Sequence, residues 1–434
     1  MRARTGWLIW ATAVFVYVAA VFHRCTLGVA GVEAAQRFGV GAAALGTFTV
    51  LQLLVYAAMQ VPTGLLVDRF GPRAVLTAAT LMMGLGQVLF AIAESYPLGL
   101  FARAVLGLGD AMTFISVIRL VAAYFPARKF AVVVTLTAAL GTMGNLVATV
   151  PLTLLLDSAG WTLTFLVAGF ATAAYSAIVL TRIRDVPEGV TPARSAEPAH
   201  AVFAQVREAW RVPGTRLGFW VHFSTMVTPA VLALLWGFPY LVRAHGVSER
   251  AASSVLSVLV IATGLAGPLI GAMIIRRPQW RMPMVVGCLG VTMVLWAVLL
   301  GWPAPLPVAV LAAAFGILAL GMPCSAIGFA IVRDYNPAHR VGTATGVVNV
   351  GGFSATTVAA LGIGLILDQV PLLSGPDGFR VAFALVAVLL LVGTWRTAVW
   401  WRRARAAVLA AQARGEEVPF HIRHRRWDAL AVPA

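Results

Sequence analysis

Apolar residues run through this chain in long unbroken stretches, and each stretch stops at charged residues or at a cluster of Gly and Pro. About 20 such residues coiled as a helix cross a hydrocarbon core of roughly 30 Å, whereas the strands of a membrane barrel alternate in polarity over about ten residues. The pattern therefore predicts an all-α membrane protein with twelve transmembrane helices. They are expected over 7–30, 41–63, 74–93, 98–123, 130–155, 161–181, 217–241, 251–275, 283–301, 306–332, 341–367 and 379–401.

An internal repeat organises these elements. At an offset of 211, Tyr124 pairs with Tyr335, Pro126 with Pro337, Gly141 with Gly352, Val147 with Val358, Ala148 with Ala359 and Asp157 with Asp368. After a longer loop, Gly160-Trp161 and Phe165 answer Gly378-Phe379 and Phe383. The repeat relates spans five and six to spans eleven and twelve, and duplicated halves of this kind are a common way to build a transporter. Two six-helix bundles are expected, over 1–181 and 217–401. A linker over 182–216 joins them, marked by Pro187, Gly189, Pro192 and Pro198, and a basic tail follows over 402–434. Arg207, Glu208 and Arg211 suit a short amphipathic surface helix within the linker.

Composition agrees with the membrane reading. Sixty per cent of residues are apolar and 11% are charged, against roughly 25% charged in an average soluble domain. The net charge of +16 would suggest nucleic acid in a soluble protein, but its distribution excludes that partner. With the N-terminus inside, only Arg37, Arg243, Arg250 and Arg380 fall in external loops and Arg24, Arg103, Arg119 and Arg396 within spans; the other basic residues face the cytoplasm. This is the positive-inside bias. It places the linker and the tail, with Arg423, Arg425 and Arg426, against anionic lipids of the inner leaflet. Arg2 and Arg4 precede a first span too long for a secretory signal. Cys25, Cys288 and Cys324 lie inside spans, so neither a disulfide framework nor a Cys-rich metal site is expected.

Between spans two and three the chain reads Gly64-Leu-Leu-Val-Asp68-Arg69-Phe-Gly71-Pro-Arg73. This resembles the loop signature of the major facilitator superfamily of secondary transporters, which implies two bundles around a central cavity. The resemblance also implies that Asp68 reaches the first turn of span eleven near Gly342, a helix N-terminus with free amides. Arg69 and Arg73 would satisfy its remaining charge, making an inner latch. The corresponding stretch after span eight, Gly271-Ala-Met-Ile-Ile275-Arg276-Arg277-Pro278, has Ile275 at the acidic position, so a second latch is missing or weak. Gly264, Gly267, Pro268 and Gly271 look like an antiporter signature but sit in span eight, where packing and kinking explain them.

Charge inside a bilayer is costly and marks function or a structural pair. His23 and Arg24 fall in span one, Arg103 in the outer part of span four, and Asp110 two turns deeper. Arg103 with Gly107 and Gly109 resembles the superfamily's span-four signature, whose arginine is associated with proton transfer. Two uses remain open: Asp110 is the protonatable group of a substrate and proton pathway with Arg24, or the two form a structural pair. Snorkelling is the competing explanation for Arg103, and Arg119 reads as a cytoplasmic anchor. The second half offers His222, Ser224, Thr225, Thr228, Trp236 and Tyr240 on span seven, Cys324 and Ser325 on span ten, and Asn349 on span eleven.

The resulting expectation is a monomeric bacterial inner-membrane transporter with cytoplasmic termini, moving a small solute by alternating access with proton coupling. An organic anion suits the arginines and an amphipathic compound suits the weakly polar second half. An uncoupled facilitator and a drug or metabolite exporter are the alternatives. An enzyme or sensor is disfavoured, because there is no His/Asp/Glu cluster for catalysis or metal and no soluble domain; no cofactor is expected.

Overall fold

A computed structural model describes residues 2–40, 42–148, 150–191, 202–302, 305–369, 376–416 and 418. Pro192, Pro198, Arg423, Arg425 and Arg426 lie outside the described residues, and the side chains of Ile275 and Asp368 are likewise not described. Among the described residues every regular element is helical, and twelve helices are long and apolar enough to cross a membrane.

In chain order the helices are α1 (Arg2–Val29), α2 (Gly31–Phe38), α3 (Ala42–Phe70), α4 (Pro72–Ile92), α5 (Tyr96–Tyr124), α6 (Ala127–Val147), α7 (Val150–Arg182), α8 (Val202–Arg211) and α9 (Pro213–Val231). They continue with α10 (Gly237–Pro239), α11 (Glu249–Arg276), α12 (Arg281–Gly301), α13 (Val308–Leu318), α14 (Gly321–Tyr335), α15 (Val341–Gln369) and α16 (Pro376–Ala413). The chain separates into two compact units, Met1–Gln205 with Ala338–Gly346, and Val206–Pro337 with Val347–Ala434.

In the first unit α5 is the central helix. Its most apolar stretch is 83% buried, against 28% for the sixth span, so a polar group on α5 meets protein on nearly every side. Aromatic residues close one end of the unit: Phe38, Phe48, Phe90 and Phe165 form a buried cluster with Trp161 packed on it. The apolar pattern gave no sign of α2. Its Arg37 donates from Nε to the Ala93 carbonyl at 2.7 Å and from Nη2 to the Ala91 carbonyl at 3.2 Å. A cation is thereby set on carbonyls that the end of α4 leaves unpaired.

Several expected boundaries move. The fifth span, α6, ends at Val147 rather than 155, and α7 turns at Gly160, whose φ of 70° suits glycine alone. Apolarity is continuous across the break after Val147, so hydropathy cannot see it, whereas Gly160 follows Asp157 and Ser158 in the gap expected between 155 and 161. In the second unit, the seventh span passes through π-helical turns at Leu232–Trp236 and Tyr240–Ala244 after Pro229. The tenth span divides between α13 and α14, where a side chain on Gly321 would run into the Thr225 carbonyl oxygen. α16 has 38 residues, about 57 Å at 1.5 Å per residue, and so outruns the hydrocarbon core.

Candidate functional site

His23 and Arg24 are neighbours on α1 and so point about 100° apart, which sends one side chain to each of two polar partners. Arg24 grips Asp110 of α5 with two parallel bonds, Nε to Oδ2 at 2.9 Å and Nη2 to Oδ1 at 2.7 Å. Asp110 is fully buried, while the Arg24 side chain keeps 16% exposure and lies 4.8 Å from the Tyr56 ring centroid. Gln52 of α3 donates to Asp110 Oδ2 at 3.4 Å and accepts from Arg103 Nη2 at 2.5 Å. Arg103 stands seven residues before Asp110, on the same helix face two turns away. It also donates to the His23 carbonyl at 3.1 Å and the Thr26 hydroxyl at 3.4 Å. His23 itself meets Gln87 Oε1 at 3.1 Å and Thr172 Oγ1 at 2.8 Å.

The cluster holds two guanidiniums and one carboxylate, an excess of one positive charge while Asp110 is ionised. Four of the expected site residues are thus brought into one network. Arg103 is fully buried and hydrogen-bonded in the interior, which removes snorkelling as the competing explanation for it. Gln52, Gln87, Thr26 and Thr172 were not singled out from the sequence. An amide in an apolar window, as at Gln52 and Gln87, is a signal that could have found two of them.

Removing one member of a buried ion pair leaves the other charge unmatched, at roughly 3 to 5 kcal/mol. Arg24→Ala and Asp110→Ala should therefore each lower thermal stability, and the double variant should cost clearly less than their sum. Additive losses in unfolding measurements would dissolve the pair as an energetic unit.

The loop signature forms a second cluster. Asp68 Oδ1 accepts the Gly342 N–H at 3.0 Å, and Oδ2 accepts both the Thr343 N–H at 2.6 Å and the Thr343 hydroxyl at 2.8 Å. This carboxylate sits on the free amides that open α15, as the resemblance implied. Gly64 makes the approach possible: a Cβ there would lie 2.6 Å from the Gly342 oxygen and 2.8 Å from Thr343 Cα. The cations differ from expectation. Arg119, read as an anchor, is buried with Nε 3.6 Å from Asp68 Oδ1.

Arg69 and Arg73 do not take that place. Arg73 donates its backbone N–H to Asp185 at 2.8 Å and its Nε to the Leu180 carbonyl at 2.8 Å. Arg69 lies over the Phe70 ring at 5.4 Å. Gly71, at φ 84°, leaves the space that the Asp185 carboxylate fills. Arg119 wins because it projects from the buried helix α5, whereas Arg69 and Arg73 are themselves exposed.

In the second unit His222 and Asn349 meet. His222 Nε2 is 3.2 Å from Asn349 Oδ1, and Nδ1 is 3.3 Å from the Ser325 carbonyl. Thr228 accepts from Trp296 Nε1 at 3.0 Å, Trp236 Nε1 donates to the Ala360 carbonyl at 2.8 Å, and Ser224 and Thr225 bond within their own helix. Tyr240 is buried with no acceptor for its hydroxyl. No group of three or more His, Cys, Asp or Glu suited to a metal occurs among the described residues.

The family model described as Major Facilitator Superfamily matches residues 9–360 and 237–433. The chain is 25% identical over 410 residues to the "Probable galactarate/D-glucarate transporter GarP" of Escherichia coli (strain K12), covering 85% of this chain and 90% of that protein. It is 25% identical over 187 residues to the "Probable sulfoacetate transporter SauU" of Cupriavidus necator, covering 43% and 44% respectively. Among solved structures, the proton:xylose symporter XylE bound to 6-bromo-6-deoxy-D-glucose superposes with a TM-score of 0.71 at 14% identity, over 93% of this chain and 97% of that one. A bacterial homologue of the human lysosomal transporter Spinster gives 0.58 at 15%, over 92% and 97%.

Proposed function

Since the chain belongs to the major facilitator superfamily and is a transporter of a small solute, we propose that its solute is an organic anion carrying a carboxylate or sulfonate, moved together with a proton. The observation that carries this reading is the Arg24–Asp110 pair, in which a partly accessible guanidinium is held by a fully buried carboxylate. Protonation of Asp110 releases Arg24 and raises the local excess from one positive charge to two, so an anion is held best when the proton is also bound. Loss of either favours loss of the other. The relatives named for galactarate, D-glucarate and sulfoacetate give the same chemical class.

The reading includes cytoplasmic termini in a bacterial inner membrane, anionic inner-leaflet lipids around the basic segments, a monomer, and no covalent step. The two six-span bundles are assigned to 1–181 and 217–401 with 182–216 as their linker, and the Asp68 cluster acts as a latch. Arg103 and His23 hold Arg24 and Gln52 in register, while His222 and Asn349 are the polar candidates of the second unit.

A second reading, an amphipathic solute, draws on an apolar groove of about 350 Å³ lined by Phe15, Phe22, Val167 and Tyr175. Purified protein in vesicles separates the two. A pH step that makes the outside acid relative to the lumen should drive uptake of galactarate or sulfoacetate, and an uncoupler should abolish it. Uptake indifferent to both the step and the uncoupler would make the protein a facilitator, and failure of every small dianion alongside transport of an amphipathic dye would favour the second reading.

A further inference from the structure

One end of the second unit carries a group of positive charges without a matching anion among the described residues. On α16, Arg396, Trp400 and Arg403 recur at four- and three-residue intervals and so share a face. On α9, Arg216 and Trp220 are one turn apart. Arg216 lies over the Trp400 ring at 4.5 Å and the Trp210 ring at 5.4 Å. Arg403 lies over Trp400 at 4.8 Å, and Arg396 over Trp220 at 5.2 Å and Trp395 at 5.6 Å.

Three guanidiniums thus gather on indole faces, and none of them pairs with a carboxylate among the described residues. Among the described residues the one hydrogen bond they form is from Arg216 Nε to the Trp210 carbonyl at 2.5 Å. The indole N–H groups of Trp220 and Trp400 are buried and have no acceptor either. Like charges brought together repel unless an anion intervenes. Beside them Trp395 is 62% exposed on the outward face of a membrane helix, the place where indoles meet the headgroup layer.

We infer that Arg216, Arg396 and Arg403 form a binding site for the phosphodiester headgroup of an anionic phospholipid such as phosphatidylglycerol. The phosphate oxygens supply the acceptors the cluster lacks, the indole faces hold the guanidiniums splayed toward the headgroup plane, and Trp395 packs along the acyl chains. The site gives a place to the general preference for anionic inner-leaflet lipid proposed above, and it rests on that orientation only for the choice of leaflet.

Native mass spectrometry of the delipidated full chain with added phosphatidylglycerol or phosphatidylcholine tests it. Phosphatidylglycerol should be retained in preference, and the combined change Arg216→Gln, Arg396→Gln and Arg403→Gln should weaken its retention on the order of a hundredfold. Arg128→Gln with Lys129→Gln, which removes charge elsewhere, should leave it unchanged. If the triple variant does not fold, Arg396→Gln alone should still weaken retention by roughly fivefold. The lipid should also raise the unfolding temperature of the unaltered protein, while glycerol phosphate at equal concentration should not.

Equal retention of both lipids, retention indifferent to the arginine changes, or equal stabilisation by free glycerol phosphate would each overturn the site. The readout is blind to orientation. External termini, found by labelling the tail in intact cells, would change the leaflet without touching this result.

Discussion

Asp110→Asn should abolish accumulation driven by a pH step while downhill exchange of the same anion continues. The substitution keeps the volume and one acceptor for Arg24 but fixes the position in its uncharged form, so the pair can no longer alternate between holding and releasing the guanidinium. A step of one pH unit is worth about 1.4 kcal/mol per proton, so with the membrane potential held at zero the coupling of one proton to one anion supports roughly a tenfold concentration ratio. The variant should bring that ratio to about one, and its binding of the anion should lose its dependence on pH. Vesicles loaded with unlabelled anion measure the exchange arm, and vesicles with an imposed step measure the driven arm. Parallel loss of both, with loss of stability, would make Asp110 a structural partner of Arg24 and withdraw the coupling role.

What could be read from the sequence follows what lipid selects for. Twelve spans were legible because each must present about 20 apolar residues to hydrocarbon, and that demand is indifferent to backbone detail. The same indifference hid α2, the break after Val147, the π-helical turns of the seventh span and the division between α13 and α14. These depend on where one helix backbone crosses another, as at Gly321 against Thr225.

Charged site residues were legible by depth, since a charge in an apolar window stands out. Arg24 and Asp110 were set together by that reasoning, as pathway residues or as a structural pair, and form two hydrogen bonds. Their uncharged neighbours, and the partner of Arg73, were not foreseen. Thr172 bonds His23 across 149 positions of chain, and Asp185 bonds Arg73 across 112, distances over which one sequence carries no pairing signal. The misassignment at Asp68 has the same origin: Arg69 and Arg73 are close in sequence, but Arg119 is carried to the carboxylate by the packing of α3 against α5.

Asp68→Asn should loosen the segment Ala338–Gly346 from the end of α3. The carboxylate takes two backbone N–H groups and one hydroxyl at the start of α15 and has the Arg119 guanidinium beside it. An anion at a helix N-terminus is worth about 0.3 to 2 kcal/mol, which changes a two-state ratio by up to about thirtyfold. Asparagine keeps one acceptor oxygen but gives up the charge. Thr345, buried beside this contact, reports on it: a Thr345→Cys chain should react with a soluble maleimide faster when Asp68→Asn is added, by up to that factor. The proposed latch must open for alternating access, so downhill flux should change in the same variant. Gly64→Val should act in the same direction by a different cause, because its side chain would enter space already held by the Gly342 carbonyl. Arg73→Gln, whose partners are Asp185 and Leu180, should leave the labelling rate near that of the unaltered protein. If Arg73→Gln accelerates labelling as much as Asp68→Asn does, the loop acts as one structural unit and the carboxylate has no latch role of its own.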